Sequence, residues 1–308
     1  MDKISQLSEL KKSLESAVLG QPEAVELSMV ALLAGGHILL EGPPGVGKTS
    51  LAQALAQSFA ASFRRVQMTS DLLPSDIVGT LRLKPGAADF EFRPGPIFCH
   101  VLLADELNRT GAKTQSALLE AMAEGKVTID GKSHDLPDPF FVVATQNPQE
   151  FQGVYPLSES QLDRFMMHIT LDIPETDAEF QLYRRHTLPA VAQKFATMPL
   201  LEFLELRRLC GNVFLEESVI RFAQEIAKEV RSGQDVSHGA SVRAVLQLLD
   251  ATKAHAFLRG RDFVLPEDIQ FLAPAVLGHR LCLRGPVAGS EQKKEMIRHA
   301  VDRVAVPK

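Results

Sequence analysis

The sequence predicts an α/β domain, with a five-stranded parallel sheet between two layers of helices, followed by a small all-helical domain. Short apolar runs alternate with helical periodicity in the first half of the chain, which is typical of parallel sheets. After about residue 173 only helical periodicity remains. A length of 308 residues also favours two domains, because single hydrophobic cores stop growing near ~250–300 residues. We expect the domains to span 1–175 and 176–308.

Five short apolar runs predict the strands of the sheet. Each is followed by Gly, Pro, Asp or Asn, which are common where strands end in loops. Between the runs, apolar residues such as Leu51, Leu55 and Phe59 recur at helical spacing and predict the covering helices. The five runs lie at 37–40, 65–68, 100–104, 140–145 and 165–171.

Two segments interrupt this alternation and are expected to be inserted β-hairpins. Residues 80–98 contain two β-like runs around a Gly-Ala-Ala-Asp turn, and residues 127–137 place Asp130 and Gly131 between alternating residues. Asp-Gly is a strong signal for a two-residue hairpin turn. Insertions of this kind are where such an architecture contacts substrates or partners.

The second domain is predicted from helical stripes alone. Val219, Ile226 and Val230 lie on one apolar stripe, and Pro266 followed by acidic residues marks the start of a later helix. The last helix is expected to begin near Ser290.

The composition limits the class of protein. With 45% hydrophobic and 23% charged residues, the chain is neither disordered nor collagen-like. The net charge of −5 and the absence of a long Lys or Arg run argue against a nucleic-acid partner. No signal peptide or membrane span is visible, so we expect a cytoplasmic protein. Three histidines lack metal-ligand spacing and are predicted at the surface or at helix ends: His134, His238 and His279. Of these, only His238 lies near a candidate nucleotide-binding motif.

The segment GPPGVGKT at 42–49 carries the clearest chemistry, because it follows a predicted strand and opens an amphipathic helix. It matches the phosphate-binding loop GxxxxGK[ST]. Its glycines let backbone N–H groups converge on phosphate oxygens, and the helix N-terminus adds partial positive charge. We expect Lys48 to contact the β- and γ-phosphates of ATP and Thr49 to coordinate Mg²⁺. The residues predicted to bind nucleotide here are Gly42, Pro43, Pro44, Gly45, Val46, Gly47, Lys48, Thr49 and Ser50.

A second segment, HVLLADELNRT, ends a predicted strand with two carboxylates, Asp105 and Glu106. Asp105 is expected to hold Mg²⁺, mostly through water, and Glu106 to orient the attacking water. The alternative is that the pair only caps a helix. The number of residues that separate the pair from the phosphate-binding loop along the sequence favours the catalytic interpretation.

Three further residues are candidates for contacts to the γ-phosphate. Asn147 ends a predicted strand and is expected to contact the γ-phosphate and the water, unless it only stabilises a turn before Pro148. Arg164 precedes the last strand, where it cannot easily reach its own loop; it is expected to complete a neighbour's site as an arginine finger, or else to pair with Asp163. Arg243 opens a helix of the second domain and is expected to reach the γ-phosphate, or else to be a solvated charge.

The segments GPPGVGKT, LLADELNR, ATQNP, LDRFM and GASVRA resemble the MoxR family of AAA+ ATPases, over essentially the whole chain. The resemblance implies an AAA+ domain with a helical lid, and it makes Asn147 sensor 1, Arg164 the arginine finger and Arg243 sensor 2. It also implies that Gln67 switches Glu106 between two poses. The residues Gly20 and Gln21 would line the adenine pocket.

The same resemblance implies hexameric rings that act with von Willebrand factor A domain proteins on client complexes, often in metal insertion. Nucleotide is expected between the α/β domain and the lid, at an interface with a neighbouring subunit. One departure is visible, because Val242 stands where the family has Pro, which restores a backbone N–H before Arg243.

Other functions have weaker support in the sequence. A GTPase would carry an NKxD-type segment where TQNP stands, and a small-molecule kinase would not need a helical domain with GASVRA. A nucleotide-dependent ring scaffold with little turnover stays open as an alternative, although every expected catalytic residue is present.

Overall fold

The computed structural model describes residues 3–84, 89–147, 153–187, 196–284 and 289–307. Its α/β part contains the predicted five-stranded sheet, in which every neighbouring pair of strands is parallel. The strands are β1 (Ile38–Glu41), β2 (Phe63–Gln67), β5 (Val101–Asp105), β8 (Phe141–Gln146) and β9 (Met167–Thr170), in the spatial order β2-β5-β8-β1-β9.

Helices cover both faces of this sheet because side chains alternate between the faces along each strand. Ile38 and Leu40 belong to a core with the first three helices, whereas Leu39 and Leu102 belong to a second core with the fifth, which contributes Leu118. The helices of this part are α1 (Lys3–Ala17), α2 (Pro22–Ala34), α3 (Lys48–Ser58), α4 (Pro74–Val78), α5 (Ala112–Glu124), α6 (Glu159–Leu162) and α7 (Thr176–Thr187).

Both predicted insertions form antiparallel hairpins, β3 (Gly79–Leu83) with β4 (Phe90–Pro94), and β6 (Lys126–Ile129) with β7 (Lys132–Asp135). In the second hairpin the Asp-Gly turn has positive φ at both residues, 49° at Asp130 and 75° at Gly131, as its sequence predicts. The Gly-Ala-Ala part of the predicted first turn lies outside the described residues. The rings of Phe92 and His134 stack 4.0 Å apart and join the two hairpins.

The C-terminal part contains the predicted helical lid. Its helices are α8 (Leu200–Cys210), α9 (Glu217–Ser232), α10 (Val242–Leu258), α11 (Pro266–Leu277) and α12 (Ser290–Arg303). A short antiparallel ribbon adds to them, formed by β10 (Val236–His238) and β11 (Cys282–Leu283). The sequence does not predict this ribbon, because its strands are too short to show alternation. No helix among the described ranges has the length and apolar character needed to cross a membrane.

The lid packs directly on the α/β part, with α10 against α2 and α11 against β9. A chain of buried charged groups, hereafter the Glu26–His255–Asp268 cluster, links them. Glu26 of α2 accepts from Lys11 at 2.8 Å, and His255 of α10 lies 3.2 Å from Glu26 and 2.6 Å from Asp268 of α11. Because the hydrophobic core is also continuous across this contact, the boundary between 175 and 176 stays a prediction.

Candidate active site

The phosphate-binding loop connects the end of β1 to the start of α3, and its glycines have distinct roles. Gly45 and Gly47 have φ values of 86° and 100°, a conformation that side chains disfavour. A Cβ at Gly42 would overlap the Leu171 carbonyl oxygen, so Gly42 allows the loop to pack on the chain after β9. Lys48 opens α3, and its Nζ donates to the Gly42 carbonyl at 2.6 Å. The predicted cationic side chain therefore lies over the loop itself.

Asp105 ends β5, where it is only 8% exposed. The Thr145 hydroxyl of neighbouring β8 donates to Asp105 Oδ1 at 2.7 Å and accepts from the Glu106 backbone N–H at 2.8 Å. Thr145 thus positions both predicted carboxylate residues. Sequence reasoning missed it, although its place near the end of a buried strand was a usable signal.

Arg65 on β2 also contacts Asp105. Its Nε and Nη2 lie 3.1 Å and 2.6 Å from Asp105 Oδ2. Gln67 pairs with Asp105 across the two strands, and Arg65 is two residues earlier on the same face. Arg65 could not be predicted as part of the site, because its contact with Asp105 depends on the register of two strands.

Glu106 follows β5 with φ 59° and ψ 51°, a left-handed conformation that is uncommon for a residue other than glycine. Its Oε2 accepts from Gln67 Nε2 at 2.5 Å and from Arg109 Nη1 at 3.0 Å. The structure therefore places Gln67 against Glu106, as the family resemblance implies. Arg109 is an additional partner that was not predicted.

Asn147 directly follows β8 and is buried beside the loop end of the sheet. Gly20 and Gln21 lie in the turn between α1 and α2. Gln21 Nε2 donates to the Asp172 carbonyl at 2.6 Å, and Gly20 packs against Pro174. All of these predicted residues lie at the carboxyl ends of the strands, where open α/β sheets bind their ligands.

A cavity of about 700 Å³ adjoins this edge of the sheet. It lies between the start of α2, the end of β9 and the lid helices α11 and α12, and its lining includes Gly20, Gln21, Phe271 and Lys294. Lys294 donates to the Thr170 hydroxyl at 2.5 Å. The predicted adenine-pocket residues therefore border a space that both domains enclose.

Arg164 lies at the opposite edge of the sheet from the phosphate-binding loop of its own chain. The Met166 N–H donates to the His37 carbonyl before β1, whereas the Leu171 N–H donates to Glu41 at the end of β1. Arg164 therefore lies beside the start of β1, and the loop follows its end, about 13 Å away at ~3.3 Å per residue. Its Nη1 donates to the Leu119 carbonyl at 3.3 Å.

Arg243 lies near Arg164 rather than near the loop. Ser241 caps the N-terminus of α10 by accepting from the Ala244 N–H at 3.0 Å, and its hydroxyl donates to Asp163 Oδ1 at 3.3 Å. Two residues further, Arg243 is exposed at this edge. The structure thus brings the two predicted arginines together and separates both from Lys48.

The residues at the loop edge fit a nucleotide and a divalent cation. The loop is open to solvent at Gly45, since a Cβ there would have no other atom within 4 Å. Mg²⁺ prefers oxygen ligands, and Thr49 and Asp105 supply a hydroxyl and a carboxylate. The contact between Arg65 and Asp105 shows that this carboxylate already balances a cation in the described arrangement.

Comparisons with known proteins identify the family of the chain. The profile of the ATPase family associated with various cellular activities (AAA) matches residues 37–167, and an AAA lid domain profile matches 228–300. The uncharacterized protein YeaC of Bacillus subtilis is 43% identical over 98% of this chain and 95% of its own length. Chaperone MoxR1 of Mycobacterium tuberculosis is 38% identical over 94% of this chain and 79% of its own.

Further matches include a protein and a solved structure. Protein MoxR of Methylorubrum extorquens is 28% identical over 96% of this chain and 94% of its own. A crystal structure from Cytophaga hutchinsonii, assigned as an ATPase, has a TM-score of 0.88 at 36% identity, covering 99% of this chain and 96% of that chain. With its parallel sheet, phosphate-binding loop and helical lid, the chain belongs to the MoxR family of AAA+ ATPases.

Proposed function

We propose that this ATPase hydrolyses ATP with Mg²⁺ in a ring of identical subunits, and that the cycle drives chaperone-like remodelling of a client protein complex. The observation that carries the proposal is that Lys48 lies at one edge of the sheet and Arg164 at the opposite edge, where the start of lid helix α10 brings Arg243. A chain of this shape supplies the phosphate-binding half of a site at one edge and the arginines at the other. Two neighbouring chains then complete one site.

In the proposed site, each residue has a defined task. Lys48 exchanges the Gly42 carbonyl for phosphate oxygens, and Thr49 with Asp105 holds the cation. The cation held by these residues would supply positive charge that offsets the negative charge developing on the phosphate. Thr145 keeps Asp105 oriented, and Asn147 contacts the γ-phosphate.

Glu106 must leave its partners before it can orient water. In the described arrangement Gln67 and Arg109 both donate to its carboxylate, which matches a resting pose. We infer that γ-phosphate contacts by a neighbour's Arg164 and Arg243 favour the released pose. Such a change is a population shift that follows from differential contacts in the ATP and ADP states.

The wider role follows from the family. Chaperone MoxR1 carries that function in its name, and we propose the same kind of activity here. We further propose a hexameric ring in the cytoplasm, a von Willebrand factor A domain partner and a client that contacts the two inserted hairpins. Metal insertion into that client is included in the proposal.

The alternative is a ring scaffold with little turnover. The observation that favours it is the double restraint on Glu106, which would keep hydrolysis low without a partner. A scaffold would bind ATP and assemble normally, yet show no turnover in a correctly formed ring.

The first test measures ATP turnover per subunit against protein concentration for wild type, Glu106→Gln and Arg164→Ala. We expect turnover to rise with concentration and to fall by ~10³-fold or more in Arg164→Ala, the range typical of arginine fingers. Mixing the two variants should restore activity, because an Arg164→Ala subunit offers Glu106 to its neighbour's finger. Turnover that is independent of concentration and survives Arg164→Ala would contradict the shared site.

A further inference from the structure

The backbone around Arg164 is held by one buried side chain of the lid, Arg280. Its Nε lies 2.8 Å from Asp163 Oδ1, and its Nη2 donates to the carbonyls of Phe165 at 2.7 Å and Asp163 at 3.2 Å. Arg280 therefore binds the residues immediately before and after Arg164. Two backbone carbonyls of the segment 163–165 therefore accept hydrogen bonds from one guanidinium, and the Asp163 carboxylate forms an ion pair with the same group.

The same guanidinium is anchored within the lid. Its Nη1 donates to the Val276 carbonyl of α11 at 2.5 Å, and Nη2 also contacts Gln247 Oε1 of α10. The preceding residue, His279, donates from Nε2 to the Phe165 carbonyl at 3.0 Å. Of the two predicted positions for His279, the surface is excluded because the residue is only 8% exposed, and the helix end agrees with its place just after α11.

Burial makes this arrangement costly unless the charge is fully paired. The Arg280 side chain is 3% exposed, and desolvation lowers its pKa to about 10 despite the nearby Asp163 carboxylate. A buried arginine that lost its partners would leave an uncompensated charge, which is strongly destabilising. The segment 163–165 is therefore tied to the lid by a group that cannot easily rotate away.

The contacts of Arg280 and Asp163 also extend to the helix that carries the second predicted arginine, Arg243. Gln247 lies on α10, which carries Arg243 in its first turn, and Ser241 at the N-cap of that helix donates to Asp163. Asp163, Arg280 and the start of α10 thus form one hydrogen-bonded unit. Arg164 directly follows Asp163 in the chain, and Arg243 lies two residues after Ser241.

We propose that Arg280 is a positioning residue that fixes the backbone of Arg164 and couples it to α10, so that Arg164 and Arg243 approach a neighbour's nucleotide as one rigid unit. The inference rests on the proposed function, in which both arginines act on a neighbouring subunit. On this proposal the lid positions Arg164 for the nucleotide site of a neighbouring subunit, and it also helps to enclose the nucleotide that its own chain binds.

The test compares Arg280→Gln and Arg280→Lys with Arg164→Ala. We expect each Arg280 variant to lower kcat by ~10-fold or more, since small displacements of a catalytic group cost about 10²-fold. KM for ATP and the affinity for a fluorescent ATP analogue should stay within about twofold, because the nucleotide half of the site is intact. Adding Arg280→Gln to Arg164→Ala should lower kcat no further, as expected for residues that act through one another.

Mixing distinguishes this role from general lid damage. Arg280→Gln subunits should recover turnover when mixed with Glu106→Gln subunits, whose fingers are intact. The matched control is Arg261→Gln, which removes a lid ion pair to Asp268 away from 163–165 and should leave kcat unchanged. If Arg280→Gln does not fold, Arg280→Lys and Asp163→Asn carry the same comparison.

The outcomes separate the two proposals. Rescue of Arg164→Ala without rescue of the Arg280 variants, or an additive loss in the double variant, would overturn the positioning role alone. Failure of mixing to rescue Arg164→Ala would overturn the shared site and the inference together.

Discussion

Thr145 shows how one hydroxyl positions two residues of the proposed site, Asp105 and Glu106. It donates to Asp105 and accepts from the Glu106 N–H while being fully buried. Both partners are therefore satisfied away from water. Loss of the hydroxyl alone would remove a hydrogen-bond partner from the Asp105 carboxylate and from the Glu106 backbone N–H.

We expect Thr145→Val, which keeps the shape and removes the hydroxyl, to lower the free energy of unfolding by about 1–3 kcal/mol. ATP turnover should fall as well, because Asp105 and the backbone of Glu106 lose a common support. Urea denaturation and steady-state turnover measure the two effects. Thr145→Ser is the control, since it retains the hydroxyl and should retain most turnover; equal losses in both variants would contradict this role.

At this scale, the sequence predicted the residues that belong to continuous motifs. Lys48, Asp105 and Asn147 follow strands in recognisable segments, and all lie at one edge of the sheet. Thr145 and Arg65 could not be predicted in the same way, because their contacts cross between strands that are distant in the chain. Only the register of β5 with its neighbours brings them to Asp105.

At the scale of elements, the first hairpin depends on the conformation of its base. Gly79 has φ 98° and ψ 178°, and a Cβ there would overlap the Arg93 carbonyl oxygen. Gly95 follows the second strand at the same base of the hairpin, and a Cβ added there would overlap the Ile77 carbonyl oxygen. Glycine at both positions lets the hairpin strands close tightly on the end of α4.

We expect Gly79→Ala to destabilise the hairpin by about 1–3 kcal/mol, the usual cost of a disfavoured backbone conformation. Limited proteolysis should then cleave within 79–94, while ATP-analogue binding stays near that of wild type. Gly111→Ala is the matched control, because a Cβ at Gly111 meets no other atom and its φ is −65°. Protease resistance equal to wild type in Gly79→Ala would show that the base tolerates a side chain.

Prediction of elements succeeded where the local signal was strong. Asp130-Gly131 specified the second hairpin, because few residue pairs adopt positive φ twice in succession. The β10–β11 ribbon escaped detection, since it joins two- and three-residue strands far apart in the lid. The placement of α10 beside Asp163 was equally hidden, because helical periodicity shows which face is buried but not against what.

At the scale of the whole molecule, the Glu26–His255–Asp268 cluster ties the lid to the α/β part. Burial opposes charge on all three groups. Hydrogen bonds to His255 and its neighbours more than offset this and lower the pKa of Glu26 and of Asp268 to about 2. Burial likewise opposes the His255 cation, but bonds to the two carboxylates raise its pKa above 6.5.

These shifts set the pH range in which the cluster stabilises the fold. The contribution of His255 to the free energy of unfolding is full below its pKa in the unfolded chain, 6.5. It is lost as the pH rises through the higher pKa that His255 has in the folded chain. The Glu26 contribution is full above 4.5 and is lost as pH falls toward about 2. The cluster should therefore contribute most between roughly pH 4.5 and 6.5.

We expect the difference in Tm between wild type and His255→Gln to be largest near pH 6 and to shrink as pH rises, because only the wild type loses a buried cation. Differential scanning fluorimetry across this range measures it. The control is Gln53→Ala, which changes an exposed side chain of α3 that does not titrate and should give a constant difference. A His255→Gln difference that grows with pH would mean that the histidine is buried as the neutral form.

The opposite placement of Lys48 and Arg164 has a geometric consequence for assembly. A head-to-tail contact is heterologous. Two chains can therefore join the sheet edge that carries the phosphate-binding loop in one chain to the sheet edge that carries Arg164 in the other, and they form only one such contact. On the proposed pairing, an open arc always contains one fewer complete site than it has chains, and its terminal loop edge stays without arginines. Only closure of the circle gives every chain a full complement of catalytic groups.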